Sequence, residues 1–278
     1  MQSLAELRGG PVEAAEYVDV RPAPACSYCN DTHYIDNGRG VVWCPRCSAD
    51  QAQAAEERAT GLVGELRGYG LDTFVAAHGT TYRQSVLAQA LDAARQAIAH
   101  PFGMVGWYGG VGTGKTHLLA GVCNALRQRD LSVHYTTTIA LLDHLRDAFD
   151  PKNGDEPYSR RFERMLAVDV LALDELDRFN ATAWAKAAFF RLIDHRYSRA
   201  NECLTLWATN RRLTDREGRR QSVIGDDTGY LESRLSDGRF LAVDMGEGDV
   251  RASLDRASWL ARVEAGRQPA AITAGGEG

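Results

Sequence analysis

Eight residues of the chain, Gly109 to Thr116, have the types and spacing of a phosphate-binding loop, G-x-x-x-x-G-K-T. In such a loop the backbone N–H groups surround phosphates, the lysine reaches the outer phosphates and the hydroxyl binds Mg²⁺. A nucleoside triphosphate fits this chemistry. The expected nucleotide-binding set is the loop, the histidine after it and one later acid, namely Gly109, Gly110, Val111, Gly112, Thr113, Gly114, Lys115, Thr116, His117 and Asp174.

The segments on either side of the loop have the character that the motif requires. "GMVGWYG" is an apolar strand candidate, and "KTHLLAGVCNALRQR" places Leu118, Leu119 and Val122 on one face of a helix. The N-terminus of that helix then points at the bound anion. The full match in this context disfavours the alternative, a glycine-rich turn that only joins a strand to a helix.

Two further apolar strands end in polar residues. "VDVLALDELDR" ends in Asp174 and Glu175, and paired acids just past the carboxyl end of a strand belong beside Mg²⁺ and the attacking water. We expect Asp174 to hold Mg²⁺ together with Thr116, and Glu175 to polarise the water. "CLTLWATN" ends in Asn210, whose amide could orient that water. The alternatives are acids that begin a solvated turn and a turn-forming asparagine.

Four cysteines have the spacing of a metal site. Cys26, Cys29, Cys44 and Cys47 form C-x2-C, fourteen intervening residues and a second C-x2-C, which can offer four thiolates to one tetrahedral Zn²⁺. Two disulfides or a redox pair would need an oxidising compartment or a thioredoxin-like setting, and nothing in the sequence suggests either. His33 is a spare ligand candidate, better interpreted as a surface histidine because four sulfurs complete the shell.

Length and composition limit what surrounds these motifs. The 278 residues, 44% of them hydrophobic, suffice for one sizeable domain and a small one. The net charge is −5, from 37 acidic and 32 basic residues, so nucleic-acid contacts must come from local patches. No apolar run spans a membrane and the N-terminus lacks a secretory signal, which favours a soluble cytoplasmic protein. Cys123 and Cys203 are expected to be small buried hydrophobes.

Helix and strand patterns alternate from about residue 81, which predicts an α/β fold of three layers with a mainly parallel sheet. The expected helices are 82–99, 115–128, 139–149 and 181–199, and the expected strands are 103–108, 132–137, 168–174, 203–208 and 239–245. The expected domains are a zinc-binding module at 1–60, a linker at 61–80, a nucleotide-binding domain at 81–262 and a disordered tail at 263–278.

The chain resembles a known family at several places along its length. "GGVGTGKTHLLAGVCNAL", "TTTIALLDHLRDAF", "VLALDELDR", "LIDHRYSRANECLTLWATN" and "LESRLSDGR" are similar to the DnaC/DnaI/IstB group of AAA+ ATPases, best known as replicative helicase loaders. The resemblance covers roughly residues 70 to 251. The cysteine segment also resembles the N-terminal metal-binding module of such loaders, which contacts the helicase; IstB transposition helpers generally lack that module.

The resemblance implies an ATPase that loads a hexameric replicative helicase onto single-stranded DNA and assembles into a spiral or ring. An IstB-type transposition helper is the alternative within the family. Outside the family, a small-molecule kinase would not explain why Glu175, Asn210 and Arg234 occur together. A non-enzymatic zinc adaptor would not use the ATP motifs.

The resemblance also assigns catalytic roles. Glu175 matches the family's catalytic acid, Asn210 its first sensor and Arg234 its arginine finger, which inserts into the ATP site of the neighbouring subunit. A guanidinium against the γ-phosphate stabilises transition-state charge, so a finger supplied in trans makes hydrolysis depend on assembly. Arg239 is close enough in sequence to be the finger instead. Alternatively, Arg234 is an exposed helix arginine without a catalytic role. Arg251 matches a late arginine of the family that lies near the nucleotide.

Evidence for DNA contact is limited to two segments. In related proteins the part after the second strand lines a channel for single-stranded DNA, and here it carries Tyr158, Arg160, Arg161 and Phe162. Interleaved aromatic and basic side chains suit base stacking beside phosphate contacts. An amphipathic surface helix with solvated arginines is the alternative. "NRRLTDREGRR" is a second basic cluster with the same two interpretations.

Overall fold

The computed structural model describes residues 26, 28–29, 34–36, 41–76, 79–149, 157–178, 182–213, 221–223 and 229–249. The chain divides into two compact units, Met1–Ala52 and Gln53–Gly278. In the part that the structure describes, no helix combines the length and apolar character needed to cross a bilayer.

The first unit contains a small hairpin beside the cysteines. Strands β1 (Tyr34–Asp36) and β2 (Val41–Trp43) pair antiparallel, with Tyr34 opposite Trp43. Helix α1 (Pro45–Thr60) begins directly after Cys44. The hairpin was not expected from the sequence, because three residues per strand are too few for an alternating pattern to be recognised.

The second unit is built on a five-stranded sheet in the order β4-β5-β6-β3-β7, in which every neighbouring pair is parallel. The three central strands are almost fully buried, which explains their nearly continuous apolar sequence. The strands are β3 (Gly103–Tyr108), β4 (Val133–Thr137), β5 (Val170–Asp174), β6 (Leu204–Thr209) and β7 (Leu241–Asp244).

Helices cover both faces of this sheet, so the three-layer α/β fold is confirmed. One core joins the sheet to α2 and α3 through Leu87, Trp107 and Leu118, and the other joins it to α4, α5, α6 and α7 through Phe162, Phe189 and other buried side chains. The helices are α2 (Thr81–Ala99), α3 (Lys115–Arg127), α4 (Thr138–Arg146), α5 (Tyr158–Ala167), α6 (Ala183–Ser198) and α7 (Tyr230–Leu235).

Several element ends differ from the sequence expectation. The strand expected at 168–174 begins at Val170, because α5 runs to Ala167. The helix expected at 139–149 ends at Arg146 and continues as a 3-10 turn, Asp147–Phe149. Helix α7 is six residues long, too short to show a helical period.

The segment 61–76, which we expected to belong to a linker, lies within the second unit and packs against its core. It includes a 3-10 helix, Gly64–Gly68, and a buried Leu62. Asn124 of α3 donates hydrogen bonds from Nδ2 to the carbonyls of Leu66 and Tyr69, both at 2.8 Å. These contacts place the segment beside the helix that follows the phosphate-binding loop. The tail expected at 263–278 lies outside the described residues.

Candidate functional site

The phosphate-binding loop connects the end of β3 to the start of α3, as the sequence predicts. Its glycines permit a backbone that other residues would not adopt. Gly109 has φ 133°, and a Cβ there would lie 2.6 Å from the Gly246 carbonyl oxygen. Gly114 has φ 99° and caps α3, and a Cβ there would lie 2.7 Å from the Phe74 ring. The loop therefore presents backbone rather than side chains.

The side chain of Lys115 lies within the loop. Its Nζ donates hydrogen bonds to the Gly109 carbonyl at 2.8 Å, the Gly110 carbonyl at 2.6 Å and the Thr113 hydroxyl at 3.2 Å. The ammonium group is buried in the concave part of the loop, where phosphate oxygens would meet it.

Asp174, at the end of β5, accepts three hydrogen bonds. Its Oδ2 accepts from the hydroxyls of Thr116 and Tyr135, both at 2.7 Å, and its Oδ1 accepts from the Glu175 N–H at 2.8 Å. Burial first, and then the charge of Asp174, raise the pKa of Tyr135 far above its usual range, so this hydroxyl stays a donor. The oxygens of Thr116 and Asp174 are the kind of donor that Mg²⁺ prefers.

Glu175 turns away from the end of the strand in an unusual conformation. Its φ is 54°, in the left-handed region, where non-glycine residues are uncommon and often functional. The chain continues with Leu176 N–H donating to the Ala208 carbonyl at 2.9 Å. The Glu175 carboxylate forms an ion pair with Arg178 at 3.1 Å and remains partly exposed at the cavity.

Asn210 follows β6 at the same edge of the sheet. Its backbone N–H and the Thr209 hydroxyl both donate to Asp177 Oδ1 at 2.9 Å. These bonds fix the backbone and leave the Asn210 amide beside the cavity.

A cavity of about 280 Å³ brings these residues together. Gly109 and Gly110 lie behind it and accept the hydrogen bonds of Lys115. The expected residues that line the cavity are Val111, Gly112, Thr113, Gly114, Lys115, Thr116, His117, Asp174, Glu175 and Asn210.

The cavity also has a wall that the sequence analysis missed. Glu65, Leu66 and Tyr69 line it, and the Tyr69 ring stacks on His117 with centroids 4.4 Å apart and an interplanar angle of 11°. His117 Nε2 lies 2.9 Å from the Gly70 carbonyl oxygen. The available signal was an aromatic residue in a glycine-punctuated segment, but its distance along the chain from the loop concealed the contact.

The two candidate arginine fingers lie away from this cavity. Neither Arg234 nor Arg239 is among the described residues that line the cavity. Arg234 donates to Asp194, and Arg239 donates to Asp237 at 2.8 Å and to the Tyr197 hydroxyl at 2.6 Å. Arg251 and His33 lie outside the described residues.

Two of the residues expected to contact DNA are unavailable for it. Phe162 is part of the core, and Arg161 is buried and donates to the His144 carbonyl at 2.9 Å. The expectation for these two was wrong because they lie on faces of α5 that pack against the neighbouring helices α4 and α6. Arg160 is exposed and Tyr158 is half-buried.

The structure describes other residues near the two segments that we expected to contact DNA. Phe149, which is 60% exposed, stacks on Tyr158 with centroids 5.3 Å apart and contacts the Trp184 ring edge to face. Of the second basic cluster, residues 210–220, the structure describes residues 210–213. Within this part, Arg211 donates a hydrogen bond to the Ser222 carbonyl at 3.3 Å.

The four cysteines of the first unit fit a zinc site. Their sulfurs are buried and all lie within 4.8 Å of one another. Cys29 and Cys47 are 3.4 Å apart and Cys26 and Cys44 4.0 Å apart, too far for disulfides. Four sulfurs bound to Zn²⁺ at about 2.3 Å in a tetrahedron would be about 3.8 Å apart.

The pKa values of two of these thiols are shifted in opposite directions. Backbone N–H groups of Cys29 and Tyr28 lower the pKa of Cys26 to about 7, whereas burial raises the pKa of Cys47. Neighbouring thiols cannot all ionise unless a cation offsets their charge, so a divalent metal would be needed to hold four thiolates. Outside the cluster, Cys123 is buried as expected, but Cys203 is partly exposed.

Comparison with known proteins shows what these features are similar to. Residues 103–231 match the family model of the IstB-like ATP binding protein. The replicative helicase loader DnaC of Escherichia coli (strain K12) is 30% identical over 112 residues, which are 39% of this chain and 45% of that protein. The chromosomal replication initiator protein DnaA of Thermotoga sp. (strain RQ2) is 25% identical over 218 residues, 77% of this chain and 44% of that protein.

The chain thus spans less than half the length of these curated relatives. The crystal structure of the DnaC helicase loader matches 63% of this chain and 96% of its own, with 22% identity and a TM-score of 0.46. The family match, the parallel sheet and the phosphate-binding loop together confirm that residues 103–231 of this chain resemble the ATP-binding domain of the DnaC/DnaI/IstB group.

Proposed function

We propose that this protein hydrolyses ATP and uses it to load a hexameric replicative DNA helicase onto single-stranded DNA. The observation that carries the ATPase part is the contact of the Thr116 hydroxyl with Asp174 at 2.7 Å, beside the phosphate-binding loop. This hydrogen bond brings together two candidate Mg²⁺ ligands that are 58 positions apart in the sequence. The helicase part is supported by similarity to a replicative helicase loader.

The residues around the cavity divide the work of hydrolysis. Lys115 exchanges its loop carbonyl contacts for phosphate oxygens, and backbone N–H groups of the loop bind the remaining ones. Thr116 and Asp174 would hold Mg²⁺, which when bound would neutralise charge at the phosphates. Glu175 accepts a proton from the attacking water, and the Asn210 amide orients that water.

The ion pair of Glu175 with Arg178 does not block this role. Their side chains are 34% and 55% exposed, and ion pairs at such exposure contribute about 1 kcal/mol or less. Glu175 can therefore exchange Arg178 for water at small cost.

The position of Arg234 supports an active site shared between subunits. Arg234 lies on α7 and pairs with Asp194 rather than with a residue of its own nucleotide cavity. Such an arginine can act on the γ-phosphate of a neighbouring subunit, so that self-association into a spiral or ring switches on hydrolysis.

The zinc cluster supports a separate role for the first unit. One Zn²⁺ held by Cys26, Cys29, Cys44 and Cys47 would fix a small module, in whose described residues the buried cluster consists of these cysteines packed with Ile35. We assign binding of the helicase to this module, which we place at residues 1–60. We assign ATP hydrolysis to the domain at residues 81–262 and place the protein in the cytoplasm.

Single-stranded DNA would contact the aromatic surface formed by the exposed Phe149 and the half-buried Tyr158. The stacked rings offer base stacking, and Arg160 of the same helix as Tyr158 is exposed for a phosphate contact.

The match of residues 103–231 to the IstB-like model favours a transposition helper as the second candidate. Such a protein would use the same ATP site, but it would bind duplex DNA and be regulated by a transposase. The zinc cluster favours the loader.

A helicase-loading assay separates these candidates. The full chain, with Mg²⁺ and ATP, is mixed with the replicative helicase of its host and circular single-stranded DNA coated with single-strand-binding protein. We expect helicase-dependent unwinding that requires this protein. ATP hydrolysis stimulated by duplex DNA, without helicase binding, would instead support the transposition helper.

A further inference from the structure

We infer that Tyr135 is a positioning residue that holds the Asp174 carboxylate in the orientation required for Mg²⁺. This inference rests on the proposed ATPase function. It concerns a side chain outside the phosphate-binding loop and outside the acidic pair.

The hydrogen bonding of Asp174 shows what Tyr135 contributes. A carboxylate accepts but cannot donate, so the Tyr135 hydroxyl at 2.7 Å from Oδ2 must be the donor. The same oxygen accepts from Thr116 at 2.7 Å, while Oδ1 is bound to the Glu175 N–H. Each carboxylate oxygen is therefore restrained, and rotation of the group would break at least one buried bond.

The sheet register explains how Tyr135 reaches this carboxylate. On the neighbouring strands Tyr135 pairs with Ala172, and Thr137 pairs with Asp174. Tyr135 and Asp174 are thus on the same face, two positions apart along the strands. Because Ala172 is small, the Tyr135 ring can lie across it toward Asp174.

Tyr135 is itself held from outside the site. The chain at Gly61 runs against its backbone: a Cβ on Gly61 would lie 1.8 Å from the Tyr135 carbonyl oxygen. The Tyr135 side chain is 6% exposed and packs in the core under α3. A rigid donor of this kind acts on the metal through its ligand, and removing such outer partners weakens metal binding by about 10- to 100-fold.

The test is Tyr135→Phe, which removes only the hydroxyl. Binding of a fluorescent ATP analogue is measured over a Mg²⁺ titration and again in EDTA, and the melting temperature is recorded for each protein. We expect the Mg²⁺ concentration for half-maximal effect to rise about tenfold or more, with affinity in EDTA nearly unchanged. ATP hydrolysis at saturating Mg²⁺ should recover most of the wild-type rate.

Thr205→Val is the matched control. Thr205 is a buried hydroxyl at the other end of β6 that accepts from Arg196 Nε at 2.8 Å, so its loss tests destabilisation alone. Equal loss of affinity with and without Mg²⁺ in Tyr135→Phe, or an unchanged Mg²⁺ requirement, would overturn the inference. Absence of Mg²⁺-dependent hydrolysis in the wild type would instead overturn the proposed ATPase function.

Discussion

Asp194 on α6 holds Arg234 on α7 by two hydrogen bonds to one carboxylate oxygen, from Nη2 at 2.8 Å and from Nε at 3.2 Å. The guanidinium also lies over the Tyr230 ring, 3.4 Å from its centroid. In the proposed function this pair keeps the arginine on the surface of its own subunit until a neighbouring ATP site binds it.

We predict that Arg234→Ala leaves ATP affinity of the isolated subunit nearly intact but lowers assembly-stimulated hydrolysis by up to about 10³-fold. Asp194→Asn is the matched variant, because it weakens the pair and keeps the arginine. We expect it to retain at least the wild-type stimulated rate. A comparable loss in both would mean that Asp194 positions the finger instead of retaining it.

Mixing two inactive variants tests action between subunits. Arg234→Ala keeps the phosphate-binding loop and Lys115→Ala keeps the finger, so mixed assemblies should recover part of the stimulated activity. Cross-linking must show that mixed assemblies form. If they form without recovery, Arg234 does not act in trans.

The division of labour at the cavity predicts different defects for two substitutions. Lys115→Ala should weaken ATP binding strongly, because the phosphates lose their buried ammonium group. Glu175→Gln should keep ATP affinity and stop hydrolysis, since an amide cannot accept the proton of water. Nucleotide titration and phosphate release measure the two properties. Equal loss of binding in both variants would contradict the assigned roles.

The cysteine cluster predicts one zinc per chain in protein purified anaerobically. Cys44→Ser should release the metal and unfold the first unit, because metal binding supplies much of the folding free energy of so small a module. Nucleotide binding by the second unit should persist. Metal analysis and circular dichroism provide the measurements. Cys203→Ser, outside the cluster, should keep its zinc; disulfides with no metal would refute the site.

The aromatic surface of Phe149 and Tyr158 predicts a defect in binding single-stranded DNA. Phe149→Ala should weaken binding by about fivefold or more, since stacking contributes about 1–3 kcal/mol per base. Phe102→Ala is the control, because Phe102 is similarly exposed at 53% but directly precedes β3 and belongs to neither of the segments expected to contact DNA. Fluorescence anisotropy with a labelled oligonucleotide measures both. The same loss in each variant would remove the support for a site at Phe149.

The parts of this protein that were predictable from sequence are those encoded by neighbouring residues. The phosphate-binding loop from Gly109 to Thr116 is one continuous motif, and β3 occupies its expected range, 103–108. The acids after β5 and Asn210 after β6 were expected together because the carboxyl ends of parallel strands meet at one edge.

The tertiary structure alone decided which distant side chains meet. The Tyr135 hydroxyl reaches Asp174 across 39 positions, and the segment around Tyr69 forms a wall of the cavity from far upstream. It also decided that Phe162 is buried while Phe149 is exposed. Local periodicity reports which residues share a face of a helix or strand, but the packing of that face against the rest of the chain determines which side chains remain available to a ligand.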